Sequence, residues 1–172
     1  MKTPIEVPDA TEQPLAYRDA LLALVGERDP LAIMDETPGR VSSLLAGRDS
    51  AQLAAPPAAG EWPAGTILGH LVDVEIVFGF RWRLALTEDR PSYPGYDEKR
   101  WSELPRPPAE RLIATFDVLR EYNLTLLRGS LAYWERVGVH GEQGPETVDV
   151  MVRKIAGHDL AHLDQLARAV GA

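Results

Sequence analysis

Histidine is scarce in this chain, and its placement is where chemistry can begin. The four histidines are His70, His140, His158 and His162. His158 and His162 stand four residues apart in the run from Gly157 to Leu166, so a helix puts both imidazoles on one face, one turn apart. Such a pair can grip one metal ion. The same face carries Met151, Ile155, Leu166 and Ala169, which predicts that both rings point inward. His70 lies between Ile67 and Val74 on the apolar stripe of another segment, beside Leu71. Three imidazoles are therefore expected to meet inside the fold.

A desolvated ring nitrogen without a partner costs about 1–3 kcal/mol, and one divalent ion would satisfy all three rings together. Three neutral imidazoles leave a coordination position open, the pattern of a reactive site rather than a sealed structural one. Zinc is the default ion, while nickel, copper, iron and manganese stay open. Because the chain contains no cysteine, disulfides, thiolate nucleophiles and cysteine-held metals are all excluded. Any thiol chemistry would need a small molecule to bring the thiol. A zinc-protease reading of His158 to His162 fails, since Asp159 stands where the general-base Glu should be and too few residues follow for the usual third ligand.

Other residues carry weaker signals. Asp73, three beyond His70, could orient a ligand ring or accept a proton, or could be an ordinary partner for an arginine. Gln165 has a similar relation to His162. Asp159 and Glu75 are rotated off the ligand faces; Asp159 reads as structural or as a support behind a ligand ring, and Glu75 as part of an ion pair on the helix flank. Arg81 returns to the His70 face about three turns later and could reach an anionic substrate only through a long pocket; otherwise it snorkels to the end of the bundle. Tyr96 and Trp101 could wall a cavity mouth or anchor their loop. His140 stays outside the expected ligand set.

These side chains have to be positioned by helices. The 172 residues suit one domain, 1–172, and 45% apolar with 26% charged residues is a globular composition. Helices are predicted from Pro14 to about Val25, from Asp29-Pro30 to about Ala46, from Pro63 to Leu86, from Pro108 to Leu127, and from the N-cap Thr147 to Ala169. Pro38 should bend the second. The stretch from Ala51 to Gly60 reads as a connector and Thr87 to Pro107 as a proline-rich loop, and no segment alternates like a strand. The expected fold class is all-α, a four-helix bundle with a short additional N-terminal helix. A net charge of −8 without a basic cluster argues against nucleic acid as a partner. No apolar run is long enough for a bilayer, and the acidic, proline-containing start is unlike a secretory signal, so the expected partner is a small-molecule substrate and the expected location cytoplasmic.

Together these residues resemble the DinB/YfiT-like family of metal-dependent enzymes. The resemblance lies in Trp62 before His70-Leu71-Val72-Asp73-Val74-Glu75, in Gly95-Tyr96-Asp97 leading to Trp101, in Gly138-Val139-His140, and in the closing His158-Asp159-Leu160-Ala161-His162. It runs from about Asp29 to Val170. It implies an up-down-down-up helix order, a divalent metal held by His70, His158 and His162, and in many members a homodimer. It also implies transferase or isomerase chemistry with a low-molecular-weight thiol, with metal-dependent hydrolysis or plain metal or ligand binding as the alternatives. One departure is Pro63, where the family has Ser or Thr capping the helix of the first histidine.

Overall fold

The computed structural model describes residues 5–172. Seven α-helices carry the chain: α1 Pro14–Val25, α2 Pro30–Leu45, α3 Ser50–Ala54, α4 Ala64–Thr87, α5 Glu98–Ser102, α6 Ala109–Gly129 and α7 Val148–Ala169. Local chemistry explains their starts. Asp29 and Thr147 accept from the amides of Leu31 and Val150, as expected of N-caps. At α4, Pro63 offers no side-chain cap, and its carbonyl instead accepts from the amides of Thr66 and Ile67.

The four long helices α2, α4, α6 and α7 form a bundle in which α2 touches α6 and α7, and α4 touches the same two. Their directions follow from two core clusters. One gathers Met34, Phe78, Trp82, Leu124, Leu127, Met151 and Ile155. The other gathers Val41, Leu45, Ile67, Leu71, Leu112, Phe116, Leu163 and Leu166. Moving from the first cluster to the second, α2 and α7 run forward while α4 and α6 run backward, so the order is up-down-down-up. The additional helix α1 lies along α7, where a side chain at Gly157 would collide with the carbonyl of Leu21.

Three expectations are corrected. A small sheet exists, built of β1 Ser92–Tyr93, β2 Val137–His140 and β3 Gly144–Thr147, with β1 parallel and β3 antiparallel to β2. Its strands have two to four residues, and Gly138, Gly144 and Pro145 erase the alternation by which a strand is read. Gly138 is needed because a Cβ there would meet the Tyr93 ring at 2.6 Å. The connector contains α3, opened by a capping box between Asp49 and Gln52. The proline-rich loop contains both β1 and α5.

At the centre of the bundle lies Arg120 of α6, 1% exposed. It donates to Asp159 of α7 at 2.5 and 3.0 Å, to Glu75 of α4 at 3.0 Å, and to the backbone carbonyl of Met34 in α2 at 2.8 Å. That carbonyl is available because Pro38, four residues on, has no N–H to donate to it. Asn123 donates to the other Glu75 oxygen at 3.0 Å. Glu75 is thus in an ion pair, though a buried one rather than on a flank, and Asp159 takes the structural one of the two roles the sequence left open.

Two outcomes follow for stability. Arg120→Met strands two buried carboxylates and should lower the unfolding free energy by about 3–5 kcal/mol in denaturant titration. Gly157→Ala, which overpacks a helix crossing against backbone, should cost about 3 kcal/mol by the same measurement; no loss would mean that α1 does not press on α7 at this point.

Candidate metal centre

His70 is carried by α4, and His158 and His162 by α7. The three rings meet as expected: centroids are 5.0 Å apart for His70 and His158, 4.7 Å for His70 and His162, and 4.1 Å for His158 and His162. One nitrogen from each lies within 4.8 Å of the others, and the His70 and His158 Nε2 atoms are 2.9 Å apart. Three nitrogens at zinc-bond length on a tetrahedron would be about 3.4 Å apart, between those two values. The donor set can hold a divalent ion once the rings adjust, the widest pair closing by up to about 1.4 Å.

The surroundings decide which nitrogens are offered. Gln165 Oε1 accepts from His162 Nδ1 at 2.7 Å, leaving His162 Nε2 bare for an ion. Among the described residues His158 Nδ1 is buried with no partner, and the ring is held by packing and by its Nε2 contact with His70. The Trp62 ring lies 5.3 Å from that of His70. Burial holds His70 and His158 well below the ordinary imidazole value, with neighbouring His162 adding to the effect. Burial also lowers His162, to about 4, against the opposing influence of Gln165 and Asp159. All three are neutral near pH 7, the state in which imidazole binds metal.

Other residues fall less predictably. Both Asp73 oxygens receive Arg106, at 2.7 Å for one contact, and among the described residues none of its hydrogen bonds reaches an imidazole. Glu98, in α5, carried no signal in the sequence, yet its carboxylate lies 3.9 Å from His70 Nε2. Burial and the nearby Asp9 raise its pKa. The proline-rich segment folds over the ligands, and nothing in residue spacing foretells that return. The only hint was the grouping of Tyr96 and Trp101 around it, whose rings pack 4.8 Å apart.

A cavity of about 400 Å³ opens beside His158, and its lining includes Glu98, Tyr96, Tyr17, Arg81, His140 and Lys154. A second cavity, of about 520 Å³, reaches His162, Gln165 and Trp62. Tyr96 thus walls a cavity, one of the two roles the sequence left open for it. Arg81 does not snorkel outward: it is 4% exposed and faces this space. His140 remains outside the ligand set, on β2.

Known proteins share this sequence and fold. The chain is 26% identical over 151 residues to "Putative metal-dependent hydrolase YfiT" of Bacillus subtilis (strain 168), covering 82% of this chain and 84% of that one. It is 27% identical over 132 residues to "Putative metal-dependent hydrolase BCB4264_A2719" of Bacillus cereus (strain B4264), covering 75% and 76%. The solved structure of YfiT from Bacillus subtilis, described as having an unusual four-helix bundle topology, superposes with a TM-score of 0.74 at 22% identity, over 99% of this chain and 94% of that one. No described helix is long and apolar enough to cross a membrane. The family model described as the DinB superfamily matches residues 33–166, and the chain belongs to that superfamily.

Proposed function

We propose that this protein is a metal-dependent hydrolase acting on a small molecule, with His70, His158 and His162 as its ligands. The observation that carries the reading is the meeting of three neutral imidazoles beside a cavity of about 400 Å³, with the Glu98 carboxylate 3.9 Å from His70. A divalent ion bound by these residues, zinc first and nickel, iron or manganese next, supplies Lewis acidity and lowers the pKa of a nucleophile's proton.

The chain's own groups do the rest. Gln165 fixes the tautomer of His162 through its 2.7 Å hydrogen bond. Glu98, whose carboxylate lies 3.9 Å from His70 Nε2, is the group that would take a proton from an attacking water. Tyr96 and Tyr17 line the cavity and give a substrate aromatic surface to pack on. With a small thiol in place of water the same groups would support transferase or isomerase chemistry. The size of the cavity favours keeping that second reading, since it has room for two small reactants.

Replacing each of the three histidines with Ala in turn should remove stoichiometric metal, read by elemental analysis of protein prepared without a histidine tag. Glu98→Gln should retain the ion while lowering kcat about 10²–10⁴-fold on ester or amide substrates. Turnover that appears only when a small thiol is added would replace hydrolysis by the second reading.

The imidazoles also set a pH dependence for the metal-free protein. His162 titrates at about 4 when folded and near its ordinary 6.5 when unfolded, so between these values the unfolded chain binds more protons. The stability it contributes is complete above about pH 6.5 and is lost as pH falls towards 4. Thermal melts of chelator-treated protein should show Tm falling across that window, and His162→Asn should flatten the fall relative to the unchanged chain. An equal fall in both proteins would show that His162 is not held neutral.

A further inference from the structure

The cavity beside His158 reaches well beyond the metal ligands and ends at a buried cation. Arg81 follows His70 on α4 by eleven residues, about 16 Å along the helix axis. Its guanidinium lies 5.0 Å from the centroids of both the Phe78 and Tyr93 rings. Among the described residues it makes no ion pair, and its one hydrogen bond goes from Nη2 to the carbonyl of Pro94 at 2.6 Å. A guanidinium has five N–H donors, and a desolvated one is strongly favoured by an anion.

The neighbouring acids Glu146 and Glu142 act on Arg81 through their charge, but neither pairs with it directly. Glu146 accepts from Lys154 at 2.6 Å and from the Tyr93 hydroxyl at 3.0 Å, which also neutralises Lys154. Glu142 is exposed at the rim and is not within ion-pair distance of Arg81. His140 supplies a second donor. Its Nδ1 accepts from the amides of Glu142 and Gln143 at 3.1 and 3.3 Å, so the proton of the neutral ring is on Nε2, which has no protein partner among the described residues. Burial keeps that ring neutral, with a pKa of about 4.

We propose that Arg81 and His140 form a recognition subsite for the carboxylate of a small-molecule substrate, a remote handle that places the reacting bond at the His158 end of the same cavity. The proposal rests on the cavity being the substrate site of the reading above. One unpaired positive charge beside a neutral donor matches a monoanion, and the planar fork of arginine matches a carboxylate. The rim carries Asp9, Glu12, Asp97 and Glu142, which disfavours a dianionic phosphate.

The test uses hexanoate, hexanamide and hexyl phosphate as probes, titrated by calorimetry into the full chain, both metal-loaded and stripped by chelation. Hexanoate should bind both forms, hexanamide at least about tenfold more weakly, and Arg81→Gln should weaken hexanoate about tenfold or more. In the unchanged protein the side-chain ¹⁵Nε–H signal of Arg81, identified by its loss in Arg81→Lys, should shift with hexanoate and not with hexanamide. That readout remains if Arg81→Gln fails to fold. Equal binding of hexanoate and hexanamide, or an unmoved Arg81 signal, would overturn the subsite. Hexanoate binding confined to the metal-loaded form would place the carboxylate on the ion instead, and tighter binding of hexyl phosphate would overturn the choice of ligand. Loss of metal stoichiometry in the histidine variants tests the metal centre separately, so the two readings can fail independently.

Discussion

The bundle is organised around a single buried charge. Arg120 draws one partner from each of the other three long helices: Glu75, Asp159 and the Met34 carbonyl. Apolar packing alone would tolerate small slides of one helix along another, because methyl groups have no directional preference. Guanidinium hydrogen bonds do not tolerate them. Asp159 is the residue next to His158, and Glu75 is five residues beyond His70, so the same contacts that satisfy the arginine set the register of both ligand-bearing helices. Pro38 belongs to this arrangement through an absence, since the amide it lacks is what releases the Met34 carbonyl to Arg120.

Around the imidazoles the electrostatics are of a different kind. Neutral rings, lowered in pKa by burial, sit beside one carboxylate and are backed by an amide at Gln165. The adjoining cavity grades from these groups to Arg81 at its far end and to acidic residues at its rim. A substrate entering it would meet distinct chemistry along its length, and orientation follows from that asymmetry.

The helices were legible because their signals are local. Asp29-Pro30 and Thr147 mark starts, and the apolar spacing around His70, His158 and His162 showed that these rings face inward. The meeting of the three imidazoles could be read for the same reason: helical periodicity turns spacing into direction. Glu98 could not be read so, because α5 reaches His70 through a loop whose path depends on tertiary contacts such as Arg81 with the Pro94 carbonyl. The sheet was hidden by its shortness and its glycines. Asp73 shows the limit of the helical wheel: the right face and spacing for supporting a ligand, but an arginine from outside the helix occupies it. Arg81 shows the same limit in reverse, since a cavity rather than solvent meets its side chain.

The distribution of the three proposed ligands over α4 and α7 has a consequence for how such a centre would be assembled during synthesis. While α7 is still within the ribosome, a growing chain exposes only His70 of the three, and a lone imidazole holds a divalent ion weakly. Loading of the proposed centre would thereby be tied to completion of α7, and the half-made polypeptide would offer no preformed trap for whichever ion is most abundant around it.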